Sequence, residues 1–278
     1  VDDDNILKGR LSLKKMILSP TSTKIQSIYN PDVTYVTTDE PAESVGRIMQ
    51  KYDLVAIPVV DSIGRLVGRI TIDDVVDVIR EEAEKDYQMM SGISQDVESS
   101  DTIWDQTKAR LPWLIIGLFG GMLAAYMISF YEADIALFPA TAMFIPVITA
   151  MGGNVGIQSS AIVVKGLASN TLTSKNILQS ISKEISCAVI NACICSSIIF
   201  ILSLCFNLTS LAMPITVTIS LFIVIMFASM FGTAFPLLLN KLKIDPALAT
   251  GPFITLTNDI IGLNIYLFTG KAILGWLL

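Results

Sequence analysis

The stretch "PFITLTNDIIGLNIYLF", residues Pro252–Phe268, has the length and hydropathy of a membrane span, but Asp259 lies near its middle. A carboxylate in the hydrocarbon core costs about 2.5–3.5 kcal/mol even on lenient insertion scales, so it needs a compensating partner. On a helix, Asp259 shares one small and polar stripe with four neighbours: Pro252, Thr255, Gly262 and Tyr266. We therefore predict that Asp259 points into protein or water and not into lipid.

The composition divides the chain into two unlike parts. Of its 278 residues, 52% are hydrophobic, and the mean hydropathy of +0.62 is too high for an ordinary soluble domain. Residues 1–110 contain 13 of the 19 Lys and Arg and 20 of the 25 Asp and Glu. A polar, acidic first part thus precedes an apolar remainder, and this acidic balance argues against nucleic acid as a partner.

The residue types that are absent narrow the chemistry. The sequence has no histidine, which removes imidazole metal ligands, Ser-His-Asp hydrolysis and histidine proton relays. It also has no Walker motif that would argue for a nucleotide-driven pump. No enzyme is expected. The cysteines all lie in one apolar stretch and are interpreted as small side chains of a membrane helix: Cys187, Cys193, Cys195 and Cys205.

Five apolar segments have about the 20 residues that cross a bilayer. They are predicted at 111–131, 137–166, 183–206, 213–240 and 247–270. Basic residues precede the first segment and occupy two connecting loops: Lys108, Arg110, Lys165, Lys175, Lys183, Lys241 and Lys243. The opposite loops carry Glu132 and Asp134 or no charge. The positive-inside rule therefore predicts an inner or plasma membrane protein with a cytoplasmic first part and the C-terminus outside.

The polar first part contains an internal repeat. Val1–Lys15 aligns without gaps on Val60–Asp74, and each copy is predicted to form strand, turn, strand and helix. The longer unit around the second copy, residues 31–88, contains "AIPVVD" and "GRLVGRITIDDVVDVI". It resembles the CBS domain, a module that works in pairs and often binds adenine nucleotides. We expect the chain to open inside a first CBS unit. The predicted divisions are a remnant of that unit at 1–30, a second CBS domain at 31–90, a linker or connecting helix at 91–110 and a five-helix transmembrane pore domain at 111–278.

Two interpretations of Asp259 remain open at this point: it orders the helix bundle through hydrogen bonds, or it meets a cation in a pathway. The second is favoured because no basic residue lies deep in any predicted span. The second span adds Asn154 and Gln158 one helical turn apart, so all available ligands are oxygens, which suit Mg²⁺, Ca²⁺ or Mn²⁺. A two-fold dimer would bring two Asp259 carboxylates to its axis and match the charge of a hydrated divalent ion.

Two segments carry a closer resemblance. "ALFPATAMFIPVITAMGGNVGIQS" (136–159) and "DPALATGPFITLTNDIIGLNIYLF" (245–268) resemble the signature segments of the MgtE magnesium channels, and the resemblance extends over essentially the whole chain. It implies a homodimeric α-helical membrane protein with five transmembrane helices, preceded by an α/β CBS regulatory domain. It also implies that Asp259 binds hydrated Mg²⁺, that Thr255 and Gly251 offer main-chain oxygens, and that further positions line the path: Asn154, Gln158 and, at the cytoplasmic mouth, Asp245.

The helix "DDVVDVIREEAEKD" presents a row of acids that has two interpretations. It is a solvated helix face, or it is a switch in which carboxylates repel a facing acidic surface until Mg²⁺ screens them. The family resemblance implies the switch and five regulatory metal positions: Asp53, Asp74, Asp77, Glu82 and Asp86. Lys85 departs from this pattern, because an acid is expected there.

The CBS resemblance also implies an adenine nucleotide site. Its Thr-x-x-Asp motif, here Thr71 and Asp74, usually holds ribose, so ATP is a candidate cofactor beside Mg²⁺. The first copy has Ser12 and Lys15 at these positions, so at most one good nucleotide site is expected for the pair.

The function predicted from the sequence is a homodimeric, Mg²⁺-selective channel that imports magnesium and is closed by cytosolic Mg²⁺. One alternative is a transporter of another divalent cation, such as Co²⁺, Mn²⁺ or Ca²⁺. The other is a non-conducting, membrane-anchored CBS nucleotide sensor in which Asp259 is structural.

Overall fold

The computed structural model describes residues 1–169, 171–172, 176–205, 211–249 and 251–277. Lys175 and residue 206, where the third predicted span ends, lie outside the described residues. The chain forms two compact units, Val1–Lys85 and Asp86–Leu278.

The first unit is an α/β unit whose described residues form a three-stranded sheet. Strand β1 (Val36–Thr37) runs parallel to β2 (Ala56–Val60), and β2 pairs antiparallel with β3 (Leu66–Thr71). The parallel pair is joined by a crossover helix, as parallel strands require.

Three helices accompany this sheet: α1 (Leu13–Leu18), α2 (Ala42–Lys51) and α3 (Ile72–Met90), the last of which runs into the second unit. α2 and the start of α3 turn their apolar faces towards the strands, because their apolar residues recur at helical spacing. A buried cluster holds the unit together: Val36, Val45, Met49, Ile57 and Val75.

The internal repeat is visible as a repeated turn. Asp2 Oδ1 accepts hydrogen bonds from the backbone N–H groups two and four residues later at 3.2 and 2.8 Å, and Asp61 Oδ1 does the same at 3.1 and 2.8 Å. The aligned residues Asn5 and Gly64 both have positive φ angles, 62° and 86°.

The strands predicted for the first copy are not formed. In their place, the described residues make two isolated bridges: Ile6 with Arg65, and Arg10 with Asn30. A two-stranded hairpin is marginal without further strands, and β2 already has β1 and β3 as neighbours.

The second unit is helical. Its elements are α4 (Ile103–Ser129), α5 (Glu132–Leu137), α6 (Ala140–Ala168), α7 (Ile177–Leu204), α8 (Ala212–Lys241) and α9 (Pro252–Leu277). Among the described residues, α4, α6, α7 and α8 are long and apolar enough to cross a membrane. α9 is not one of these four, although its 26 residues would reach across a bilayer. Four of the five predicted spans thus coincide with such helices. The fifth, at 247–270, coincides with α9, which carries Asp259, and stays a prediction.

The core of the second unit lies where α6, α8 and α9 meet. Its buried side chains include Ile148, Val217, Leu221, Val224, Ile225, Leu263 and Tyr266. Tyr266 is fully buried and its hydroxyl donates to the Thr141 carbonyl oxygen at 2.8 Å. The stripe predicted from Pro252 to Tyr266 thus faces away from the surroundings of the bundle along its whole length, half-buried at Asp259 and fully buried at Tyr266.

Candidate cation site in the membrane bundle

The residue that precedes α9 is a glycine that no other residue could easily replace. Gly251 has a φ of 56°, and a Cβ added there would collide with the carbonyl oxygen of Met90. The Gly251 carbonyl oxygen in turn accepts from the backbone N–H and the hydroxyl of Thr255, both at 3.1 Å. Gly251 and the first turn of α9 line a cavity.

The cavity has a volume of about 810 Å³ and is bounded by α4, by the start of α9 and by residues 90–93. Three predicted ligands lie on its wall: Gly251, Thr255 and Asp259. Small residues of α4, Gly117 and Gly121, leave the space open, since a Cβ added at either would meet nothing within 4 Å. The structure thus brings half of the predicted pore ligands to one cavity.

Asp259 is half-buried on this wall and lies close to α6. A Cβ added to Gly153 would lie 3.3 Å from Thr255 Cγ2 and 3.8 Å from Asp259 Oδ1, so the glycine allows the two helices to approach. Within the described residues, no Lys or Arg forms an ion pair with Asp259. The charged group that shares the cavity is Arg110, which lines it and is exposed.

The other three predicted ligands lie outside this cavity. Asn154 and Gln158 are exposed on α6, one turn apart as predicted. Asp245 is exposed before the turn that leads to α9, and its Oδ1 accepts from the Ala247 backbone N–H at 2.9 Å. Within the described ranges, no group of three or more His, Cys, Asp or Glu side chains could hold a metal ion. The site therefore offers one carboxylate and several neutral oxygens.

Sequence reasoning missed Asn258, which precedes Asp259. Its side chain is 1% exposed, and neither its amide nitrogen nor its oxygen has a hydrogen-bond partner among the described residues. It packs directly against Gly156 and near Gly152, so that a Cβ added to Gly156 would collide with the Asn258 amide. The sequence could have pointed to Asn258, because it is a second polar residue next to Asp259 in an apolar run. It could not have shown that the two side chains face different surroundings.

Glu184 was also missed. This residue of α7 lies beside the two buried serines Ser159 of α6 and Ser229 of α8, whose hydroxyls donate to Glu184 Oε1 at 2.6 and 3.1 Å. The two hydroxyl oxygens are 3.1 Å apart, so the three groups form a triangle that joins three helices. The sequence could have pointed to Glu184, because it is an acidic residue near the start of a predicted membrane span.

The predicted nucleotide residues are engaged with each other. Asp74 Oδ2 accepts from the Thr71 hydroxyl at 2.6 Å and from the Thr71 backbone N–H at 2.9 Å. These bonds, the hydroxyl bond first, lower the pKa of Asp74 below its ordinary value. Neither residue lines the cavity of the first unit, which measures about 890 Å³ and has Arg10, Tyr52 and Arg69 on its wall.

The predicted regulatory acids are spread over two elements of the chain. Asp74, Asp77 and Glu82 are exposed on α3, and Asp86 is half-buried further along the same helix. Asp53 is exposed after α2 and has a positive φ of 50°. Their common property is contact with solvent.

These features define a class: a multi-pass membrane protein with a carboxylate-lined cavity in its helix bundle and an attached α/β unit of the CBS type. The family described as MgtE, divalent cation transporter, matches residues 145–269, and the CBS domain family matches residues 25–81. Residues 145–269 of the chain thus belong to the MgtE family.

Curated relatives match almost the full chain. It is 35% identical over 96% of its length to the magnesium transporter MgtE of Bacillus subtilis (strain 168), and 33% identical over 99% to that of Thermus thermophilus. It covers 59% and 61% of those proteins, so it spans about three fifths of their length. A crystal structure described as the cytosolic domain of the Mg²⁺ channel MgtE in complex with ATP matches 28% of this chain and is covered to 32%, with 50% identity and a TM-score of 0.28.

Proposed function

We propose that the chain forms the pore and part of the sensor of a homodimeric Mg²⁺-selective channel that imports magnesium and is closed by cytosolic Mg²⁺. The observation that carries the proposal is Asp259, a carboxylate without an ion-pair partner in the described residues, on the wall of a cavity in an apolar bundle. Such a charge is costly in a membrane, so a permeating cation is the partner that the site lacks.

The oxygen ligands favour a hard and hydrated ion. Asp259 supplies the charge, and Thr255 and Gly251 on the same wall supply neutral oxygens. Mg²⁺ releases its water reluctantly, so a roomy cavity with few protein ligands suits it. The relatives named magnesium transporters support Mg²⁺ as the substrate.

The second protomer completes the charge of the site. One carboxylate per chain is too few for a divalent ion, and a two-fold axis beside Asp259 doubles it. The exposed amides of Asn154 and Gln158 support this arrangement, because amides on a lipid-facing surface are unfavourable and a facing protomer or a water-filled path would cover them. Asp245 then lies at the cytoplasmic mouth.

Closure is assigned to the acids of the CBS region: Asp53, Asp74, Asp77, Glu82 and Asp86. Mg²⁺ bound between them and a facing acidic surface would offset their repulsion. Support comes from α3, which carries four of these acids and ends at Met90, whose carbonyl oxygen packs against Gly251 at the start of α9. ATP at Thr71 and Asp74 belongs to the same proposal as a second regulator, in competition with the Thr71–Asp74 bonds.

The orientation follows from the lysine-bearing loops, which we assign to the cytoplasm, with the C-terminus outside. A negative-inside potential then favours entry of a divalent ion by about 4.6 kcal/mol per 100 mV, so no energy-consuming step is needed.

Uptake of Mg²⁺ into proteoliposomes tests the pore. We expect Asp259→Asn, which removes the charge and keeps the shape, to lower uptake at least about tenfold, equivalent to about 1.4 kcal/mol. Asn264→Ala is the matched control, because Asn264 lies on the same helix, bonds to the Ile260 carbonyl oxygen and does not line the cavity. Wild-type uptake by Asp259→Asn would contradict the proposal.

The same assay separates the alternatives. Uptake of Co²⁺, Mn²⁺ or Ca²⁺ well above that of Mg²⁺ would assign the site to another divalent ion. A folded protein that conducts none of these ions would favour the nucleotide sensor.

A further inference from the structure

A second cavity has no wall residue in common with the Asp259 cavity. It has a volume of about 760 Å³ and lies between the last turns of α8 and the start of α7. Its wall includes Ile177, Phe231, Phe235, Leu238, Asn240 and Lys241. We call it the α7–α8 groove.

The groove is apolar along most of its length. Phe231 and Phe235 are half-buried and Leu238 is 50% exposed, so their side chains form a wall that is open to the surroundings of the bundle. From Phe231 to Lys241 the helix rises about 15 Å, which is close to half the thickness of a hydrocarbon core of about 30 Å. One leaflet of a bilayer therefore matches the length of this wall.

The groove ends in polar donors. Asn240 and Lys241 are exposed in the last turn of α8, where this helix leaves its apolar stretch. Within the described residues, no carboxylate forms an ion pair with Lys241. An ammonium and an amide thus follow directly on an aromatic and aliphatic wall, which is the order expected where a helix leaves a bilayer.

The wall is also preorganised. Phe227 stacks on Phe231, Phe231 on Phe235, and Phe235 on Phe253 of α9, with ring centroids 5.9, 5.4 and 4.7 Å apart. Stacked rings of this kind hold their positions at little further entropic cost when a flexible chain packs against them.

We propose that the α7–α8 groove binds an anionic phospholipid, with one acyl chain on Phe231, Phe235 and Leu238 and the phosphate beside Lys241 and the Asn240 amide. Lys241 selects for negative net charge, because a zwitterionic headgroup brings its own cation to the same place. One lysine near the phosphate gives about fivefold preference over a zwitterionic lipid of the same chains.

Lipid retention on the purified, detergent-solubilised chain tests this site by native mass spectrometry. The probes are dioleoyl phosphatidylglycerol and dioleoyl phosphatidylcholine, which differ only in the headgroup. We expect the wild type to retain the anionic lipid about fivefold more strongly, and Lys241→Gln to retain both lipids equally. Lys243→Gln is the matched control, because Lys243 lies two residues further on and does not line the groove; it should keep the preference.

A second variant tests the apolar part. Ala234 is exposed on the groove wall, and Ala234→Trp is expected to fill the groove and reduce retention of both lipids. Equal retention of the two lipids by the wild type, or loss of the preference in Lys243→Gln as well, would overturn the proposal, since either result describes general lipid contact and no site. Circular dichroism of each variant verifies that the helices are intact.

Discussion

The two units of this chain treat their acidic side chains in opposite ways. In the first unit, Asp74 is exposed and its bonding partner Thr71 is three residues away. In the second, Glu184 has hydroxyl partners 25 and 45 residues away on two other helices, and Asp259 lies on a cavity wall. Water satisfies an exposed acid at little cost, whereas an acid in an apolar bundle must be satisfied by the fold or by a ligand. An acidic residue thus bonds to a near neighbour in the sequence in the first unit, whereas in the second its surroundings come from other helices.

The largest effect is expected where the bundle confines a polar group most tightly. Gly156→Ala places a methyl group against the Asn258 amide and 2.7 Å from Ile254 Cγ2, so it should lower the free energy of unfolding by about 3 kcal/mol. The measurement is unfolding in mixed detergent, followed by circular dichroism. Gly121→Ala is the control, because nothing lies within 4 Å of its added Cβ. Equal stability of the two variants would show that the bundle does not confine the Asn258 amide tightly at Gly156.

The triangle of Glu184, Ser159 and Ser229 should give the next effect. Glu184→Leu removes the shared acceptor of two buried hydroxyls. Because only one of the two can then donate to the other, one hydroxyl is left without an acceptor, and we expect a loss of about 1–2 kcal/mol in the free energy of unfolding. Glu184→Gln keeps an acceptor oxygen and should lose less in the same assay. If the Leu variant is as stable as wild type, the hydrogen bonds to Glu184 contribute nothing to the free energy of unfolding.

The acids of α3 should affect regulation and not folding. Changing Asp74, Asp77 and Glu82 together to Ala is expected to raise the Mg²⁺ concentration that half-closes the channel by at least about fivefold, the lower end of a typical coupling energy. Flux from proteoliposomes at increasing Mg²⁺ on the sensor side measures the shift, with unfolding in detergent as a check on stability. If millimolar Mg²⁺ closes the variant as well as wild type, the sensor assignment is wrong.

The smallest effect concerns one carboxyl group in the first unit. Because the Thr71 hydroxyl lowers the pKa of Asp74, Thr71→Ala should raise that pKa towards its ordinary value. A lowered pKa in the folded state stabilises the fold above the pKa of the unfolded chain, and this stabilisation is lost as pH falls through the folded pKa. Carboxyl carbon shifts of labelled Asp residues measure the titration, and Thr71→Ser, which keeps the hydroxyl, should leave it unchanged. An unchanged pKa in Thr71→Ala would show that the local partner is unimportant.

The sequence predicted what depends on local pattern. The run from Ala56 to Thr71 forms the predicted hairpin, and Gly251, Thr255 and Asp259 share a wall because helical spacing places them on one side of α9. Polar residues inside apolar runs were recognised as candidates for a site. These inferences needed no knowledge of which helices are neighbours.

What could not be predicted depends on packing between distant segments. Helical periodicity places Tyr266 on the same stripe as Asp259, but it does not reveal the hydrogen bond from the Tyr266 hydroxyl to the Thr141 carbonyl oxygen in the core. Asn258 is one residue from Asp259 and faces α6, because Gly156 leaves room for it there. The hydroxyl partners of Glu184 lie on other helices, and helix pairing is not encoded in the spacing of one segment.

The contact of Gly156 with Gly232 has a mechanical consequence. The Gly156 carbonyl oxygen lies so close to Gly232 that a Cβ could not be accommodated, so α6 and α8 touch backbone to backbone. Such a pair cannot slide or separate without losing its closest contacts, so we expect α6 and α8 to move as one body. We then expect any widening of the Asp259 cavity to come from α4 or α9, which form most of its wall. For α9 we expect a tilt about Gly251, whose φ angle is positive, and this tilt would move Asp259 relative to α6 and α8.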